Sequence, residues 1–110
     1  MENEFFAVNF LFGEKLSSAR RARKISQVEL GKRVKLSRIT IAKLERGAQN
    51  VQLSQIFMLA QALDVPPEEL IPSSRELDNS GADKDALFLQ FIRNQMASVI
   101  QEVDHGESSH

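Results

Sequence analysis

The stretch Ser26 to Gly47, SQVELGKRVKLSRITIAKLERG, decides the fold. Ser26-Gln27-Val28-Glu29 is a capping box, in which the Ser hydroxyl accepts the Glu29 amide while the Glu side chain returns to the Ser amide. A short helix should follow from Gln27 to about Val34, burying Val28, Leu30 or Gly31, and Val34. Ser37 is a second N-cap, and a helix from Arg38 to Arg46 turns Ile41 and Leu44 inward before Gly47 ends it. Two capped helices three residues apart make a tight corner.

Working outward, Phe12, Leu16, Ala19 and Arg20 share one helical face, so Gly13 to Arg23 reads as a first amphipathic helix with basic residues outward. Before it, residues 1–12 form an apolar arm. Its Phe5, Phe6, Val8, Phe10, Leu11 and Phe12 read either as an extra element packed on the core or as a partner-docking arm. After the corner, Leu53, Ile56, Phe57, Leu59, Ala60 and Leu63 recur at helical spacing and predict a well-buried fourth helix. Pro67 suits the first turn of a fifth, with Glu68 and Glu69 at its positive end and Leu70 and Ile71 closing the core.

Residues 73–82 are polar, with Ser, Asn and Gly, and read as a linker. Residues 83–104 predict one more amphipathic helix, roughly 30 Å long, followed by a disordered tail over residues 105–110. Leu89, Ile92, Met96, Val99 and Val103 form a heptad seam there, widened by Phe88, Phe91 and Ile100. So much apolar surface must be covered, and the expectation is a homodimer through this helix rather than packing back onto the same chain.

Composition narrows the function classes. With 42% apolar and 26% charged residues in a chain of 110, a single folded domain with an appended helix is expected. Cysteine is absent, which removes disulfides, zinc-thiolate sites and thiol catalysis together. There is no Gly-rich phosphate loop and no helix-borne His or carboxylate cluster with metal spacing. His105 and His110 read as solvated tail residues, so neither an enzyme nor a cofactor or metal site is expected. The apolar run Phe5 to Phe12 is too short to span a bilayer and follows Glu2 and Glu4 rather than positive charge, which points to a cytoplasmic protein with no membrane partner. The net charge of −1 conceals a division: Gly13 to Arg46 holds eleven Lys or Arg against three Glu, a local +8. A block this basic suits a polyanion.

The order of these pieces resembles the helix-turn-helix of the lambda-repressor-like family, which includes phage repressors, Cro proteins and xenobiotic-response-element type regulators. The resemblance covers Leu16 to Pro72: a basic first helix, SQxEL opening the second, LSxxxIxKLERG as the third, and ALDVPPEELI at the end. It implies an all-α fold, a five-helix lambda-repressor-like DNA-binding domain over residues 13–72, followed by the linker and the C-terminal dimerisation helix. It also implies that Arg38 to Lys43 enters the major groove of double-stranded DNA, with Ser37, Arg38, Ile39, Ala42 and Lys43 meeting base edges. A guanidinium can bridge guanine O6 and N7, Lys43 can reach the same acceptors, and Ile39 can touch a thymine methyl or form the rim of the core. Gln27, Lys35, Arg46, Gln49 and Asn50 are the implied phosphate contacts, with Arg21 and Arg23 as further candidates, and Arg20 with Glu45 the implied structural ion pair.

Two positions depart from the family pattern. Lys35 stands where the inter-helix turn often has Gly, so it must adopt a left-handed conformation or the turn must differ, and Gly31 stands where the second helix usually has Ala. The function expected from all this is a sequence-specific DNA-binding transcriptional regulator, a repressor acting as a homodimer on an inverted-repeat operator. The alternative is an antitoxin or adaptor type of interaction module, in which the last helix holds a partner protein.

Overall fold

A computed structural model describes residues 2–81, 89–90 and 92–96. Within them the protein is built from helices α1 (Glu2–Ala22), α2 (Gln27–Val34), α3 (Arg38–Arg46), α4 (Leu53–Leu63) and α5 (Ser74–Gly81), with a 3-10 turn at Pro67–Glu69 and no strand. This is the all-α class that the capped corner implies.

The apolar arm is not a separate element, because α1 runs unbroken through it and buries Ala7, Phe10 and Phe12. Gly13 lies inside this helix, where glycine costs about 1 kcal/mol relative to alanine. It is there because α1 crosses the end of α3: a Cβ at residue 13 would lie within 2.6 Å of both the Glu45 and Leu44 carbonyl oxygens. Gly47 completes the same contact from the other side. Its φ of +76° closes α3, and a Cβ there would sit 2.9 Å from the Phe10 Cα.

The corner between α2 and α3 follows the caps. Ser26 Oγ accepts the Glu29 amide at 3.0 Å and Ser37 Oγ accepts the Thr40 amide at 3.0 Å. The Glu29 carboxylate pairs with Arg33 Nε at 3.2 Å, one turn on. Lys35 takes the left-handed conformation, φ 60° and ψ 41°, at a strain of about 1 kcal/mol for a residue with a Cβ. Gly31 lets the chain double back tightly, since a Cβ there would meet the Leu36 carbonyl oxygen at 2.4 Å.

The core is one cluster: Phe12, Leu16, Leu30, Val34, Ile41, Leu44, Leu59, Ala60, Leu63 and Leu70. Four apolar residues expected inside are exposed, and each has a geometric reason. On α4 the buried stripe is Leu59, Ala60 and Leu63 with Ile56 packed against it, which rotates Leu53 (69% exposed) and Phe57 (54%) to the opposite side. On α2, Leu30, Gly31 and Val34 face inward and Val28 does not. The fifth helix is only the 3-10 turn, after which Leu70 fills the core while the adjacent Ile71 points away.

The segment read as a linker is largely helical. Ser73-Ser74-Arg75-Glu76 is itself a capping box: the Ser73 amide donates to Glu76 Oε1 at 2.8 Å and the Glu76 amide to Ser73 Oγ at 3.1 Å. Glu76 Oε2 also lies 2.8 Å from Lys15 Nζ, tying α5 to α1.

This packing has two measurable effects. In Gly31→Ala the helix-propensity gain of about 1 kcal/mol is outweighed by overlap with a backbone carbonyl, so urea unfolding should show a net loss of about 1 to 2 kcal/mol. The hydrogen-bonded Lys15 ammonium and then the Ser73 amide hold the Glu76 carboxyl at about 2, against an ordinary 4.5. Because the folded value is the lower one, the interaction stabilises the fold above pH 4.5 and that contribution is lost as pH falls from 4.5 to about 2. An NMR titration of Glu76 should find this low midpoint in the native chain and a rise toward the ordinary value in Lys15→Met.

Candidate nucleic-acid interface

Arg20 on α1 and Glu45 on α3 meet in the interior, with side chains 12% and 7% exposed. Arg20 Nε donates to Glu45 Oε2 at 2.6 Å and Nη2 to Glu45 Oε1 at 3.1 Å, while Nη1 donates to the Ile25 carbonyl at 2.8 Å. Gln27 Nε2 donates to Glu45 Oε1 at 3.0 Å. The Gln27 carbonyl oxygen is thereby turned outward, where Arg38 Nη1 donates to it across a longer 3.4 Å. One carboxylate therefore fixes α1, α2 and α3 together and, through Gln27, holds the first residue of α3.

The faces of α3 then separate. Ile41 and Leu44 lie in the core, Lys43 is exposed, and Ile39 is 50% exposed, standing out from the rim rather than filling it. Ser37 is exposed but spends its hydroxyl on Thr40, whose amide it caps and whose Oγ1 it donates to at 3.0 Å. Ala42 is a correction to the expected base-facing set, at only 6% exposed. It lies one turn after Arg38 and three residues before Glu45, on the side of α3 that these two use to reach Gln27, so its methyl is covered.

The implied phosphate contacts divide in the same way. Lys35 is exposed at the corner, whereas both ends of the Gln27 amide are engaged within the protein, by Glu45 and Arg38. Gln49 is half-buried, and Asn50 is exposed, with its Oδ1 accepting from Asn9 Nδ2 at 2.6 Å. Arg46 is half-buried, and its carbonyl lies 3.5 Å from Gln95 Nε2. Arg23 is used structurally, donating to the Asp64 carbonyl at 2.8 Å, and Arg21 is exposed. Of the expected dimer seam, Leu89, Ile92 and Met96 are helical and exposed, while Phe88, Val99, Ile100 and Val103 lie outside the described residues. Among the described residues no group of three His, Asp or Glu is placed to hold a metal, and no helix is long and apolar enough to cross a membrane.

Sequence reasoning missed Asn9, for which no pattern signals a partner 41 residues away. It also passed over the Ser73-to-Glu76 capping box, whose spacing was readable.

Residues 16–70 match the helix-turn-helix family, and the chain belongs to it. Over 79 residues it is 37% identical to the HTH-type transcriptional regulator y4dL of Sinorhizobium fredii, covering 67% of this chain and 40% of that protein. It is also 33% identical over 79 residues to the immunity repressor protein of Bacillus phage phi105, covering 66% of this chain and 55% of that protein. The chain thus spans about half the length of these curated relatives. The crystal structure of the restriction-modification controller protein C.AhdI from Aeromonas hydrophila superposes with a TM-score of 0.55 at 40% identity, covering 56% of this chain and 94% of that one. The family into which the chain falls is one of DNA-binding regulators rather than of enzymes.

Removing one member of the buried pair leaves the other charge without compensation. Glu45→Ala should lower the unfolding free energy by about 3 to 5 kcal/mol in urea titration, whereas Glu29→Ala, which removes an exposed pair, should cost less than about 0.5 kcal/mol.

Proposed function

We propose that this protein is a sequence-specific transcriptional regulator, a repressor that binds double-stranded DNA as a homodimer on an inverted repeat. Residues 13–72 read the DNA, and the helix within residues 83–104 pairs the subunits. The observation that carries the reading is the arrangement of α3: its inner face is locked to α1 and α2 through Glu45, with Ile39 and Lys43 exposed and Arg38 half-buried at the start of a helix that comes after a tight corner. Arg38 is the main base reader, able to present parallel donors to guanine O6 and N7, with Lys43 and Ile39 beside it. Lys35, Arg46, Gln49 and Asn50 contact the backbone, which fits the local excess of eleven basic over three acidic side chains. Ser37 serves the interface through its cap on α3, and Gln27 by holding Arg38. Such a protein works in the cytoplasm on the nucleoid and needs no cofactor.

A second reading is favoured by one observation. Leu89, Ile92 and Met96 stand exposed, each on helical residues, a surface that suits either a second copy or a different protein. In that reading the same fold is an antitoxin or adaptor module.

Selection from a random duplex pool at physiological salt decides between them. The expected result is an inverted repeat with half-site centres near one helical turn, roughly 34 Å, or a multiple of it. On the selected site Arg38→Ala should cost about 1 to 3 kcal/mol and relax preference at one base position. Met96→Glu should convert a dimer to a monomer by mass measurement. No enrichment, together with an unchanged mass in Met96→Glu, would favour the interaction module.

A further inference from the structure

The extension of α1 over residues 2–12 does more than cover the core. Its Phe10 backbone rests against Gly47, at a separation no Cβ would tolerate, and one residue earlier Asn9 reaches Asn50 in the loop that leaves α3. That loop carries Gln49 and Asn50, and between Gly47 and α4 it has no regular secondary structure of its own to hold it. The Ala48 amide closes it onto the Lys43 carbonyl and Val51 packs on the core, while the Gly47 contact and the Asn9 hydrogen bond tie it to α1.

We propose that Asn9 is a positioning residue for DNA binding, setting the direction in which Asn50 presents its amide. This rests on the reading of the protein as a DNA-binding regulator. The chemistry is a matter of donors and acceptors. A side-chain amide has one oxygen that accepts and one nitrogen that donates two hydrogens. Asn9 Nδ2 occupies Asn50 Oδ1 at 2.6 Å, so the group Asn50 has left to offer is its NH2. A phosphodiester oxygen only accepts. With its oxygen engaged, Asn50 is prepared to donate to the DNA backbone; turned the other way, it would set oxygen against oxygen. The ordering cost of choosing the productive orientation is met before DNA arrives.

The test uses the full chain and the duplex recovered by selection, with Asn9→Ala, Asn50→Ala and the double variant. Alanine is the better helix former within α1, so Asn9→Ala keeps the fold and its thermal midpoint should not fall. Its operator affinity should drop about three- to tenfold, the scale of one hydrogen bond. No charge has been changed, so the dependence of affinity on salt should keep its slope. In the Asn50→Ala background, Asn9→Ala should cost nothing further. Wild-type affinity in Asn9→Ala, or losses that add in the double variant, would overturn the assignment. Amide hydrogen exchange at Ala48 to Asn50 in the free protein gives a reading independent of DNA: it should speed up in Asn9→Ala, and unchanged exchange would remove the brace. If the wild-type chain retained no duplex at all, the DNA-binding reading would fail on that result, and the exchange experiment would still decide the brace.

Discussion

The Glu45 carboxylate is the point on which the DNA-binding half of the molecule depends. It is nearly buried, and a buried charge is tolerated only when its partners and remaining hydrogen bonds are in place. Those partners come from two other helices: two nitrogens of Arg20 on α1 and the amide of Gln27 at the start of α2. Apolar packing alone would let α3 slide or rotate by small amounts at little cost. A carboxylate with three donors at fixed positions does not, because each displacement strands a charge or a donor away from water. The arrangement therefore sets the angle of α3 more sharply than the leucines around it could, and it extends outward through Gln27 to Arg38.

Glycine and left-handed backbone are distributed according to the same need for closeness. Three helices close on residues with side chains, Lys24, Lys35 and Asp64, all with φ near 60°, each accepting a strain of about 1 kcal/mol. Gly13, Gly31 and Gly47 instead stand where one backbone touches another: α1 on the end of α3, α2 on the inter-helix turn, and the end of α3 on α1. Only at Gly47 do the two requirements coincide. At these three positions close approach, rather than turn formation alone, is what calls for glycine.

The helices α1 and α5 give the family core its particular boundary. The long α1 adds Ala7, Phe10 and Phe12 to the interior and brings Asn9 to the loop beyond α3. Glu76 brings α5 back to α1 through Lys15, so the chain leaving the core begins docked rather than free. Gln95, near the carbonyl of Arg46, places helical residues 92–96 close to the end of α3. Two elements outside the shared motif, the start of α1 and the residues around Gln95, thus reach the end of α3, while α5 docks on α1.

By itself the sequence determined the helix class, the ends of α2 and α3, and the pairing of the basic block with the corner, because caps and turn residues act within four positions of one another and need no distant partner. The same local logic was available for α5 in Ser73 and Glu76, hidden by a composition that resembles a loop. What only the tertiary structure decided is the rotation of each helix about its axis and the meeting of remote side chains. Ala42, Phe57 and Ile71 each sit beside a residue that faces the other way, and Val28 and Leu53 lie on the outer side of helices whose apolar pattern admitted either side; a step of one residue turns a helix by about 100°. Which of two neighbours is buried depends on the surface that arrives against them. Periodicity can show that a helix has an apolar side; only the helix packed against it fixes which side that is, and only the folded chain could bring Asn9 to Asn50.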